Sequence, residues 1–145
     1  MPSDRHRNDV RTRITNERVG HKRLAAVVDD FYDRVQRHRL LSQPFSRVQD
    51  WPAHKAKLTH FWWVALGGQR YADYRYDIGR THWRVGVDDT LVEAWLTVLR
   101  ETLADHLPPP LAVEWYRRAR RMAVAVRAAP DFYRRNPATR SRRRR

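Results

Sequence analysis

Apolar residues recur along this chain with helical spacing over four long stretches. These stretches cover residues 24–39, 51–66, 90–106 and 111–127. In each, an apolar residue returns every three or four positions, which is the period of an amphipathic α-helix. No stretch shows a convincing alternation with the period of two that is typical of a β-strand. The pattern therefore predicts an all-α protein built on four helices.

Capping residues and prolines indicate where the helices begin and end. Asp50 stands before the second helix as an N-cap, with Pro52 in the first turn, where a missing N–H costs little. Gly67-Gly68 supplies the left-handed conformation that ends this helix. Pro130 is expected to end the fourth helix, with residues 131–133 folding back. 

The connections differ in character. Residues 40–47 contain proline and serine and are too few for a full helix, so they predict a turn or a short 3₁₀ segment. Residues 67–81 follow neither period, although they contain several tyrosines and arginines. They predict an irregular, partly packed connection.

The second helix carries a wide aromatic stripe that begins with a histidine. Its members fall at i, i+4, i+7, i+8 and i+11: His54, Leu58, Phe61, Trp62 and Ala65. His54 can be a core histidine bonded to a backbone carbonyl, or it can face a bound group. His60 lies six residues further on, a rotation of about 240° around the helix axis, and is therefore predicted at the surface.

Two further residues have chemistry that the pattern alone does not assign. Tyr32 lies on the buried side of the first helix, one turn after Val28, where a core tyrosine bonded to a carbonyl is the ordinary interpretation. His82 follows the irregular connection, next to Trp83. Without other information, it is typical of a surface or capping histidine.

The composition excludes several classes of site. The chain has 145 residues and no cysteine, which excludes disulfides, iron–sulfur clusters, thiolate metal sites and covalent haem attachment. No apolar run of 18 residues predicts a transmembrane segment, and no apolar region follows the charged N-terminus as in a signal peptide. These features predict a cytoplasmic protein.

The formal net charge of +14 is concentrated at the two ends of the chain. Residues 1–23 contribute +4, residues 134–145 contribute +7, and residues 24–133 contribute only +3. Both ends lack apolar periodicity and are predicted to be disordered extensions of one domain at 24–133. The Arg-rich tail can contact polyanions non-specifically, whereas the nearly balanced body gives no reason to expect a specific nucleic-acid partner.

Several short runs, in this order and spacing, resemble the third group of truncated haemoglobins. The resemblance covers about residues 24–127 and rests on Phe31-Tyr32, Pro44-Phe45, Trp51-x-x-His54-Lys55-Ala56-Lys57, Phe61-Trp62, Leu66-Gly67, His82 and Trp95-Leu96. It implies a globin-like two-over-two helical sandwich that binds one non-covalent haem b. His82 would be the proximal iron ligand, and the distal site would be formed by Tyr32, His54 and Trp95. The remaining haem contacts would come from Phe31, Phe45, Lys57 (at a propionate), Leu58, Phe61, Trp62 and Trp83.

The function implied by this resemblance is binding of dioxygen or another diatomic such as NO at ferrous iron. Hydrogen-bond donors around the ligand would stabilise its partial negative charge in a dry pocket. Such a pocket suits oxygen, NO or peroxide redox chemistry, with electrons from an unidentified reductase, as well as oxygen binding. Whether the protein is an enzyme stays open, as does coordination of the iron by His54. Two alternatives also remain: a basic helical module that binds nucleic acid or anionic membrane, and a helical scaffold with satisfied histidines.

Overall fold

A computed structural model describes residues 15–75 and 88–135, with side chains as far as residue 124. Four long helices account for most of this part of the chain: α1 (His21–Arg37), α2 (Trp51–Ala65), α3 (Asp89–His106) and α4 (Pro109–Arg135). A helical turn at 15–19 precedes α1, and a 3₁₀ segment, Pro44–Arg47, connects α1 to α2. The described ranges contain no β-strand. The predicted all-α class is confirmed.

The helices pack as two pairs, α1 with α2 and α3 with α4, and the contact between α1 and α3 joins the pairs. Helix α1 contacts both α2 and α3, and α3 contacts α4. Each helix contributes large buried side chains to one core, among them Phe31 from α1, Trp62 from α2, Leu99 from α3 and Trp115 from α4. The arrangement is the globin-like helical sandwich that was expected, with α1 as the central contact between its two pairs.

The capping chemistry predicted for α2 is present, and α3 begins with a cap of the same kind. The Asp50 carboxylate accepts a hydrogen bond from the Ala53 N–H at 3.0 Å, and Gly67, just after α2, has a φ of 105°. At the start of α3, the Asp88 carboxylate accepts from the Leu91 N–H at 2.9 Å. These contacts satisfy N–H groups of the first turns that have no partner within the helix.

The predicted end of α4 at Pro130 is wrong. The helix continues without interruption to Arg135. A proline inside a helix removes one main-chain hydrogen bond and crowds the preceding turn. Here it is preceded by a run of alanine, valine and arginine that contains no other helix breaker, so helical structure persists on both sides of it.

Residues 15–19 and 21–23, which the sequence assigned to the N-terminal extension, are helical, and Thr15, Asn16 and Val19 are buried. The Thr15 hydroxyl donates to the Glu114 carboxylate on α4 at 2.9 Å, and the Asn16 N–H donates to the Leu66 carbonyl at the end of α2 at 3.0 Å. This segment is too short for a periodic pattern to reveal it. Its partners lie 50 and 99 residues away in sequence, so no local pattern indicates these contacts either.

The other predictions for the ends fall outside the described ranges. Residues 1–14 and 136–145 are not among those the structure describes, so disorder there stays a prediction. None of the helices in the described ranges combines the length and apolarity needed to cross a lipid bilayer.

Candidate functional site

Three polar rings, one from each of three helices, meet beside the core. Tyr32 from α1, His54 from α2 and Trp95 from α3 are the residues that were predicted to share a site. The indole N–H of Trp95 acts on the Tyr32 hydroxyl and favours its charged form, and the His54 ring stands perpendicular to the Tyr32 ring at a centroid distance of 6.0 Å. Phe31 packs edge-on against Trp95 at 5.4 Å. Residues far apart in sequence are thus brought into one cluster.

The Tyr32 hydroxyl keeps its proton over the whole physiological pH range. The side chain is 4% exposed, and burial raises its pKa well above the ordinary value of 10.0, although the hydrogen bond from Trp95 opposes the rise. The indole of Trp95 can only donate, so it does not use the Tyr32 O–H. The O–H of Tyr32 can therefore donate to a different acceptor.

His54 is held in its neutral form. Its side chain is half-buried, and burial, together with the nearby positive charge of Lys57, lowers the pKa of the imidazole below its ordinary value of 6.5. A neutral imidazole has one N–H donor and one bare nitrogen. At neutral pH, His54 can therefore donate a hydrogen bond or act as a metal ligand.

An aromatic wall encloses the outer side of the cluster. Phe45, from the 3₁₀ segment, lies 5.9 Å from Tyr32. Trp51, the first residue of α2, lies 5.9 Å from Tyr32 and packs perpendicular to His54 at 5.5 Å. The sequence did not single out Trp51 as a site residue. The available signal was its i, i+3 relation to His54, which places both on one side of the helix.

The stripe that begins at His54 continues along α2 as an apolar surface that the described residues only partly cover. Leu58, Phe61 and Ala65 are all half-buried and pack against the core at their inner edges. Lys57, also half-buried, lies at the flank of the stripe. A helix face that is apolar over three turns and incompletely covered is able to accept a flat apolar ligand.

Trp62 lies in the core rather than on this incompletely covered surface. It is 2% exposed, lies nearly parallel to Trp95 at 6.4 Å and contacts Trp115 on α4 at 5.5 Å. Its position one residue after Phe61 turns it toward the other helices. Of the aromatic residues expected as haem contacts and described by the structure, Trp62 and Phe31 are already enclosed by other side chains.

His60 is buried, so its predicted surface position is wrong. The side chain has no exposed area, and its Nε2 accepts a hydrogen bond from the Tyr71 N–H at 3.2 Å. The rings of Tyr71 and Tyr74 pack on it at 4.6 and 5.2 Å. The rotation around α2 was correctly inferred, but the connection after α2 folds back and covers that side. 

The burial of His60 makes the free energy of unfolding depend on pH. Desolvation, aided by the charge of Arg70, lowers its folded-state pKa below 6.5. Below that pH the unfolded chain binds more protons, so stability is lost as the pH falls, by at most about 1.4 kcal/mol per pH unit for this group. We expect His60→Gln to flatten the pH dependence below pH 6.5, as measured by urea unfolding at several pH values.

Tyr71→Phe is the matched control for that measurement. It removes a hydroxyl that bonds to His21 but keeps the main-chain N–H that donates a hydrogen bond to His60. This variant should retain the pH slope of the wild type. An identical slope in the wild type and His60→Gln would contradict the assignment.

The predicted iron ligand, His82, and the adjacent Trp83 lie outside the described ranges, within residues 76–87. Their placement stays a prediction. Among the residues that are described, no group of three or more histidine, aspartate and glutamate side chains is arranged to hold a metal ion.

The family model described as Protoglobin matches residues 9–129, a range that includes the helical turn at 15–19, helices α1 to α3, most of α4 and the whole three-ring cluster. No curated protein matches the chain.

Proposed function

Since the chain belongs to the protoglobin family, a family of globins that bind haem and gas ligands, we propose that it holds haem b between α2 and the segment that carries His82. The match supports the globin superfamily that the sequence resembles. The narrower assignment to the third group of truncated haemoglobins stays a prediction, and the residue roles taken from it are part of this proposal.

The described residues fit a haem group. A porphyrin needs a flat apolar surface, and the half-buried stripe of Leu58, Phe61 and Ala65 offers one directly below His54 and Tyr32. Lys57 at its flank is suited to pair with a propionate. Haem supplies the iron at which a diatomic ligand binds, and we assign the proximal nitrogen to His82.

The single observation that carries the proposal is the convergence of the Tyr32 and His54 rings, with centroids 6.0 Å apart, where the half-buried apolar stripe of α2 begins. We assign to Trp95 the orientation of Tyr32, because its indole N–H can only donate and acts on the Tyr32 hydroxyl. The Tyr32 O–H is then the donor to the ligand, and its raised pKa keeps it protonated. In a buried site this bond is stronger than in water, and the donation from Trp95 polarises it further.

We propose oxygen, NO or peroxide redox chemistry as the use of this site, with oxygen binding as its simplest form. A tyrosine donor and a neutral His54 both face the ligand position, which favours slow ligand release. His54 is also suited to carry a proton to or from the ligand. Turnover would need electrons from a reductase.

The absorption spectrum of the purified protein, reconstituted with hemin, tests the proposal. We expect a Soret band that shifts when the reduced protein binds carbon monoxide. A low-spin ferric spectrum without added ligand would assign a sixth coordination position to His54. A preparation that takes up no hemin would contradict the proposal.

A second candidate function, polyanion binding, is favoured by the outer face of α4. Arg117, Arg120 and Arg121 are exposed there, between the exposed side chains of Val113 and Val124. Within the described part of the chain, these three arginines make no ion pair or hydrogen bond. Arginine is well suited to bind phosphate groups, so this face is the part of the domain that nucleic acid or an anionic membrane would contact.

Replacing these three arginines with glutamine should weaken binding to DNA or to anionic vesicles and reduce its salt dependence, by about 0.9 in logarithmic slope for each lost DNA phosphate contact. Co-sedimentation and salt titration measure both effects. The control replaces Arg37, Arg39 and Arg100, which are also exposed. Equal losses in the two triple variants would show that only net charge matters. 

A further inference from the structure

The helix that carries Tyr32 is connected by ion pairs to both of the helices that carry the other two rings. On one side, Lys55 of α2 bonds to Asp29 and Asp33 of α1. On the other side, Arg34 and Asp30 of α1 pair with residues near the end of α3. Tyr32 lies between these charged residues in the sequence of α1.

Lys55 makes two short bonds to carboxylates one helical turn apart. Its Nζ lies 2.8 Å from Asp29 Oδ1 and 2.7 Å from Asp33 Oδ1. The Lys55 side chain is only 17% exposed. Burial disfavours its charge, but the two carboxylates outweigh this effect and raise the pKa of Lys55 above its ordinary value. Both carboxylates therefore face a permanent cation.

We propose that Lys55 is a positioning residue for the distal site, which holds His54 and Tyr32 at a fixed separation by bridging Asp29 and Asp33, and so slows ligand release. Lys55 follows His54 directly on α2, and Asp29 and Asp33 stand three residues before and one residue after Tyr32. The inference rests on the proposed haem function.

The double bridge fixes the register of α1 against α2. Apolar helix packing permits small sliding and rotation, because ridges fit neighbouring grooves with some tolerance. A slide of one residue, about 1.5 Å along the axis, would stretch one of the two Lys55 bonds beyond hydrogen-bonding distance. Since His54 directly precedes Lys55 on α2, any such slide would carry the His54 imidazole away from Tyr32.

The second set of ion pairs acts on the contact between Tyr32 and Trp95. Arg34 bonds to Asp105 at 2.6 Å and to Asp30 at 2.9 Å, and His106 lies 2.7 Å from Asp30. The side chain of Asp105 is 60% exposed. Both sets contain an exposed carboxylate, but Arg34 is 28% exposed and Lys55 17%, so substitution of Arg34 should have the smaller effect.

The test compares Lys55→Met with Lys55→Arg in the haem-loaded protein. We expect Lys55→Met to shift the carbon monoxide stretching frequency in the same direction as Tyr32→Phe and to speed ligand dissociation by about 3- to 10-fold. Lys55→Arg retains the charge and should remain close to wild type. Asp33→Asn provides a second disruption if Lys55→Met does not fold.

Two controls separate positioning from general stability. Arg18→Met breaks an ion pair with Glu114 that involves neither α1 nor the three rings, and it should leave the stretching frequency unchanged. In a Tyr32→Phe background, Lys55→Met should lose most of its effect on dissociation. An undiminished effect there, or an unchanged stretching frequency in Lys55→Met alone, would overturn the inference. Failure of the wild type to bind hemin would instead overturn the proposed function.

Discussion

Replacing His82 with alanine should give a protein that does not retain hemin and has no Soret band after gel filtration. The reason is that a non-covalently bound haem in this chain would lose its only protein-to-iron bond on the proximal side. The absorbance ratio at the Soret and protein maxima, compared with the wild type at equal hemin, measures the loss.

Chemical rescue gives that experiment its control. His82→Gly with added imidazole should recover a Soret band, because free imidazole can occupy the position of the missing side chain. His106→Gln, which changes a histidine paired with Asp30 near the end of α3, should retain normal hemin uptake. A His82→Ala protein with full, stable haem content would move the proximal ligand to another residue.

Replacing Tyr32 with phenylalanine should accelerate dissociation of oxygen about 5- to 100-fold, the range expected for one hydrogen bond in a dry site. The substitution removes the hydroxyl that we propose as the donor to the ligand, and it leaves the aromatic packing in place. Stopped-flow displacement of oxygen by carbon monoxide measures the rate. 

Trp95→Phe distinguishes a direct from an indirect role of the indole. If Trp95 acts by orienting Tyr32, the double variant should release oxygen no faster than Tyr32→Phe alone. Tyr116→Phe removes a hydroxyl from a half-buried tyrosine on α4 and serves as the matched control. An oxygen dissociation rate that is unchanged in Tyr32→Phe would remove this tyrosine from the site.

The parts of the structure that depend on local pattern were predictable from the sequence. Helix bounds follow from periodicity and caps, and the observed α2 and α3 differ from the predicted ranges by one residue at most. The side on which His54, Leu58 and Phe61 lie follows from their spacing alone. Their convergence with Tyr32 and Trp95 came from the resemblance to a known globin group, since no local rule brings three helices together.

The parts that depend on distant contacts were not predictable. His60 is buried because residues 71–74 return to it, and nothing in the pattern of α2 indicates that return. The same holds for the influence of Trp95 on the Tyr32 hydroxyl, since the two residues come from different helices. Helical structure across Pro130 also shows that one breaker in a favourable run does not decide where a helix ends.

The anchoring of residues 15–19 has a practical consequence for anyone who shortens the basic N-terminus to obtain crystals. A truncated form that starts at Leu24, the apparent domain boundary in the sequence, would lose the hydroxyl that bonds to Glu114 and the main-chain contact with Leu66. It would also uncover core side chains at the far end of α2. Shortened forms that begin before Thr15 should keep this closure and remain soluble at higher concentration.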